Sequence, residues 1–273
     1  MKEFSFTRYL RTLRWFLQAN RTQLFFWTAG SALSIFVGEL FFSWLPLRFS
    51  TTTEFYASNI MALSGFFAAV LLIVALVAFS SIFSIIQKRQ RASLFLMLPA
   101  TNGEKYAVLL TYVTLVWPLS VLLAFIVGDT LRMLVMPLFY RVDFVSGVPA
   151  IFDMLTPHAF SGVNGTSLAA AAFMLVLLVW SHSIYVAAGS VFRKHAFVIV
   201  TTALFVCVGT FGYICSLLFG RFRLMSNYDG DLYVHPVLWV VTIVLAIWAV
   251  YNYRLSYRLF KNLQVINDKR TNL

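Results

Sequence analysis

Gln87–Tyr106, QKRQRASLFLMLPATNGEKY, is a basic stretch with an apolar centre, set between two long apolar runs. Lys88, Arg89, Arg91 and Lys105 stand against a single acid, Glu104. Between them lies Leu94-Phe95-Leu96-Met97-Leu98, closed by Pro99-Ala100-Thr101-Asn102. Apolar surface of this kind is unfavourable in water, so the segment either lies on lipid or docks a partner.

Outward from that segment, apolar runs of about 20 residues, the length that crosses a bilayer, recur along the whole chain. The composition agrees: 60% hydrophobic, 28 Phe and only 11% charged residues, against about 25% charged in soluble domains. No polar segment is long enough for a soluble catalytic domain. The sequence therefore reads as an all-α integral membrane protein, with residues 1–273 forming a single transmembrane domain. Six spans are expected, at about 24–46, 60–86, 107–127, 167–190, 197–219 and 236–253.

The net charge of +11 does not point to nucleic acid, because the basic residues flank apolar spans and so act as a topology signal. Of the 21 Lys and Arg, sixteen fall on one set of alternating segments: the N-terminus, 87–106, 191–196 and the C-terminus. The other five (Arg48, Arg132, Arg141, Arg221 and Arg223) fall on the opposite side. Both termini are thus expected in the cytoplasm, with 87–106 a cytoplasmic loop and 128–166 an external one. Within the latter, Leu131–Tyr140 is too short to span and is expected to be re-entrant or to lie on the outer leaflet.

Residues 1–23 are expected to form an interfacial amphipathic helix, and no cleavable signal peptide is expected. At about 100° per residue, Phe6, Tyr9, Leu10, Leu13, Phe16 and Leu17 share one face and Arg8, Arg11 and Arg14 the other, a pattern suited to anionic lipid. Cys207 and Cys215 are eight residues apart in one apolar run, about 12 Å along a helix and too far for a disulfide.

Motifs for chemistry in this chain are few. There is no Gly-x-x-x-x-Gly-Lys-Ser/Thr and no His-Glu-x-x-His, and His158, His182, His195 and His235 are scattered. Ser64 with His182 suggests a serine nucleophile and base, but they fall at different depths of their spans, beyond the reach such a pair needs. Tyr228-Asp229 and Gly230-Asp231 share one short loop and read as turn chemistry. Glu39 is the carboxylate placed well inside a span; it marks a pathway or a pair, unless the first span ends early and leaves it among headgroups. His182, between two serines, reads as a pathway group or an interhelix hydrogen-bond partner. Pro118 is expected to kink the third span.

The ensemble resembles the type-2 ABC transporter permeases, above all the export-type permeases of Bacteroides-like bacteria. The resemblance rests on the amphipathic N-terminus, six spans and Arg91-Ala92-Ser93-Leu94-Phe95-Leu96-Met97-Leu98-Pro99-Ala100-Thr101-Asn102-Gly103-Glu104-Lys105. It departs from the better-known members in placing its largest external element after the third span.

The resemblance implies a bacterial inner-membrane subunit that forms the substrate pathway. It also implies a homodimer, or a pair with a similar permease, and a separate ATPase that holds ATP and Mg. This chain itself would carry no cofactor, no metal and no catalytic residues. The docking contacts would come from Arg91, Leu94, Phe95, Leu96, Leu98, Pro99, Glu104 and Lys105, with apolar anchors in the centre and charges on an exposed rim. A membrane anchor for a regulatory partner, or a secondary transporter, are the alternatives.

Overall fold

A computed structural model of the chain describes residues 4–47, 53–83, 89–149, 167–192, 195–221 and 231–262. The expectations resting on Arg48, Lys88, His158, Arg193, Lys194, Arg223 and Tyr228-Asp229-Gly230 lie outside these residues. Among the described residues the fold is all α. Its helices are α1 (Phe6–Leu47), α2 (Thr53–Ser80), α3 (Arg89–Leu96), α4 (Asn102–Thr111), α5 (Trp117–Phe139), α6 (Ser167–Val191), α7 (Ala196–Arg221) and α8 (Asp231–Lys261). A π-helical segment, Tyr112–Val116, joins α4 to α5.

Five helical bodies among the described residues are long and apolar enough to cross a membrane: α1, α2, the continuous α4–α5 rod, α6 and α8. The predicted fifth span falls on α7, which has 26 residues. This is a multi-pass membrane protein, and helices are the expected answer to lipid, where each backbone N–H and C=O must be satisfied within the segment.

Two elements run further than the sequence pattern suggests. α1 has 42 residues, about 63 Å at 1.5 Å per residue, twice the ~30 Å hydrocarbon thickness. The amphipathic N-terminus is therefore helical but continuous with the first span, and part of its aromatic face meets protein. Tyr9 Oη lies 2.7 Å from Thr111 Oγ1, and Phe16 packs edge-on against Tyr112 with centroids 5.1 Å apart. Arg11 and Arg14 remain exposed.

The third span is also longer than 107–127. Helix α5 continues to Phe139, which corrects the expectation that Leu131–Tyr140 is re-entrant or lies on the outer leaflet. Pro137 misleads there: it sits in the last turn of α5, where it deprives the Met133 carbonyl of its i+4 donor but has almost no helix left to break. Pro118 acts through the π segment. Its ring and missing N–H disfavour regular α geometry over the preceding turn. The Trp117 N–H accordingly bonds back to the Tyr112 carbonyl, five residues away, as in a π turn.

The chain divides into two compact units, Met1–Ala78 with Pro99–Ala159, and Phe79–Leu98 with Phe160–Leu273. In the first, α1 packs along both α4 and α5. Gly128 permits the close approach, since a Cβ there would lie 3.0 Å from the Ala32 carbonyl oxygen and 2.9 Å from Ile35 Cγ2. Leu47, Tyr56, Ile60, Met136 and Val142 form one apolar cluster, and Phe67 with Phe125 another. In the second unit α6 packs on α8 and α7, and Gly189 lies against the Ser80 carbonyl with no room for a side chain.

Candidate functional site

The first unit carries a buried ionic cluster where the end of α1, the start of α2 and the last third of α5 meet. Arg132 is 1% exposed, Asp129 1%, Tyr56 1% and Glu39 3%. The guanidinium donates in four directions. Nε reaches Glu39 Oε2 at 3.3 Å and Asp129 Oδ1 at 3.2 Å. Nη1 reaches Tyr56 Oη at 2.6 Å. Nη2 reaches Asp129 Oδ1 and, at 2.7 Å, the Val145 carbonyl. Asp129 Oδ2 accepts from Ser146 Oγ at 2.6 Å and from the Gly147 N–H at 3.0 Å. One cation thus ties three helices and the 145–147 segment together.

Glu39 is therefore a paired, buried group: the first span continues past it to Leu47. Asp129, Arg132 and Tyr56 are the residues that sequence reasoning missed. Their available signal was the i, i+3 spacing of Asp129 and Arg132, which on a helix makes neighbours.

At the other end of this unit, Glu104 closes the start of α4. Thr101 is the N-cap, and Thr101 with Glu104 forms a capping box, which satisfies two orphan N–H groups of the first turn. The Glu104 carboxylate also takes the Ser5 N–H at 2.7 Å and Arg8 Nη2 at 3.0 Å. Glu104 is 0% exposed and Lys105 5%. Both were expected on an exposed docking rim. The correction follows from Arg8, which the continuous α1 brings to the first turn of α4, where negative charge is favoured.

The apolar centre of the 87–106 segment splits by face. Helix α3 puts Phe95 inside, at 1% exposure, and leaves Leu94 and Met97 outside, at 61% and 81%. Leu96 and Leu98 are half-buried, and Pro99 is exposed. Arg91 lies in α3, with its side chain outside the described set. Phe95 as a partner anchor is thus corrected: it is committed to the chain's own core. Met97, unassigned in the sequence reading, is the exposed neighbour of Leu94 at i, i+3.

In the second unit, α6 and α8 share a neutral polar seam. His182 Nδ1 and Tyr253 Oη are 2.6 Å apart, Asn252 Nδ2 donates to Ser183 Oγ at 3.1 Å, and Ser190 and Ser256 hydroxyls bond to each other. Trp180 and Trp248 pack edge-on in the same interface, and Phe79 lies edge-on to His182. His182 thus has the interhelix role. Ser64 donates to its own helix at the Ile60 carbonyl, 2.7 Å away, the usual behaviour of a membrane-helix serine. The chain matches no protein-family model, no curated protein and no solved structure.

Proposed function

We propose that this chain is the membrane subunit of an ATP-driven transporter of the exporter type, docking a separate ATPase through the segment around α3. In this reading it sits in a bacterial inner membrane with both termini in the cytoplasm. It pairs with a second copy or a similar permease, while ATP and Mg belong to the partner. The observation that carries the reading is α3 itself: a short helix between two spanning helices, held inward by Phe95, with Leu94 and Met97 directed outward in a segment whose sequence is basic. Apolar anchors ringed by charge are the make-up of a docking patch.

Truncating anchors of this kind costs more than about 1 kcal/mol each. Leu94→Ala with Met97→Ala is therefore expected to weaken the ATPase complex by about thirtyfold, since 1.4 kcal/mol is a factor of ten. A pull-down of the ATPase on the tagged permease reads this directly. Membrane yield and dimerisation of the variant should stay unchanged. ATPase binding at wild-type affinity would sink the docking reading and leave this pair as a lipid contact. A partner that is released but hydrolyses no ATP would favour the membrane-anchor alternative.

The sidedness rests on the Lys and Arg asymmetry, sixteen against five. Phe144 is 67% exposed, so Phe144→Cys should react with an impermeant maleimide on intact cells, and Met97→Cys should not. The reverse pattern would invert the topology and remove α3 from any cytoplasmic ATPase.

A further inference from the structure

The cluster around Arg132 has two acids and one base. With Glu39, Asp129 and Arg132 all ionised it carries one uncompensated negative charge, in a site where each of the three is at most 3% exposed. Such a charge is strongly disfavoured without a partner. The contacts show where compensation is short. Asp129 receives Arg132 on Oδ1 and Ser146 Oγ with the Gly147 N–H on Oδ2. Glu39 accepts one hydrogen bond from Arg132, through Nε at 3.3 Å. That nitrogen is shared, since Asp129 Oδ1 lies 3.2 Å from the same Nε, so the two carboxylates converge on one guanidinium N–H. Two buried carboxylates that share one cation favour a proton on one of them, because like charges so close do not both ionise, and the protonated acid gains an O–H to donate.

We infer that this cluster is a proton-binding site, holding one exchangeable proton on Glu39 in a hydrogen bond to Asp129. The allocation follows from donor count: the better-solvated charge belongs on Asp129, whose two oxygens are both served, and the proton on Glu39, whose neutral form supplies the missing donor.

Groups facing the pair come from each packed element. They are Tyr56 from α2, Arg132 from α5, and the Val145 carbonyl, Ser146 hydroxyl and Gly147 N–H from the following segment. Among the described residues, the remaining charged groups of these segments, Glu54, Arg141 and Asp143, are exposed. Proton release would leave Glu39 and Asp129 as like charges competing for one guanidinium, which disfavours the joint of α1, α2 and α5. The inference stands whether or not an ATPase docks at α3.

Infrared spectroscopy of the full-length protein in liposomes tests it. At neutral pH the wild-type minus Glu39→Gln difference spectrum should contain a protonated-carboxyl carbonyl band. That band should shift in heavy water and be lost at alkaline pH. Glutamine imitates the protonated acid, donating to Asp129 and accepting from Arg132. Glu39→Gln should therefore keep the wild-type unfolding midpoint at neutral pH. Absence of the band in the wild type, or its persistence in Glu39→Gln, overturns the inference. So does a Glu39→Gln protein that fails to fold, since the neutral isostere should satisfy the site.

Discussion

Two polar interfaces hold the two units, and they are built on opposite principles. In the first, a guanidinium spans two carboxylates, a phenol and a backbone carbonyl. In the second, the α6–α8 seam is assembled from three neutral pairs, His182–Tyr253, Ser183–Asn252 and Ser190–Ser256. Neutral pairs in a membrane are interchangeable, because a separated hydroxyl or amide finds another partner, often in its own helix. Ser190 and Ser183 illustrate this, each also donating to a carbonyl of α6. A charged cluster has no such fallback. The α1–α2–α5 joint is all-or-none, whereas the α6–α8 seam tolerates losses one pair at a time.

The comparison breaks first at Arg132. Arg132→Leu leaves two buried carboxyls without their cation, a kind of loss that costs about 3–5 kcal/mol. Thermal unfolding in detergent should show a large fall in midpoint. Adding Glu39→Gln and Asp129→Asn to the same variant removes the charges and should recover a substantial part of the loss. A triple variant no more stable than Arg132→Leu would mean that packing, not charge, holds the joint.

A much smaller effect is expected in the seam. A double-mutant cycle with Ser183→Ala and Asn252→Ala should give a coupling of about 0.6 kcal/mol, the average for membrane hydrogen bonds, and at most about 1.7 kcal/mol. A coupling above the latter would erase the distinction between the two interfaces.

The long apolar helices were readable because length and hydropathy are local properties: the apolar runs of α2 and α6 announce themselves. The sites were readable only in part. Glu39 stood out as an acid in an apolar run, but nothing local says that its partner is Arg132, 93 residues away. Arg132 was assigned to a loop because Pro137 and a short apolar stretch mimic a break, and only the packing of α5 on α1 shows otherwise. Glu104 was placed on an exposed rim for a similar reason. A capping box is visible in Thr101-x-x-Glu104, whereas the arrival of Arg8 and Ser5 depends on α1 packing along α4. The Leu94–Leu98 patch was correctly seen as apolar, but one helical turn has two sides, and composition does not say that Phe95 points in while Leu94 and Met97 point out.

The π segment at Tyr112–Val116 has a consequence for the angular phase of the whole third rod. Before it, the buried positions are Glu104, Lys105, Tyr106, Val108, Leu109, Tyr112 and Val113. Carried forward at about 3.6 residues per turn, that phase arrives near Leu119, Leu123, Val127 and Leu134. Those four are exposed, at 61%, 54%, 42% and 52%. The positions that do turn inward after it are Val121, Ala124, Phe125, Gly128, Asp129, Arg132 and Met136. A π turn holds one residue more than an α turn, so it delays the frame by one position, about 100°, which is part of the offset of one to two positions between the two sets. Apolar side chains line both phases, so hydropathy cannot choose between them. The five residues beside Pro118 make the choice, and in doing so they allow one helix to meet α1 with Glu104 at one end and with Arg132 at the other.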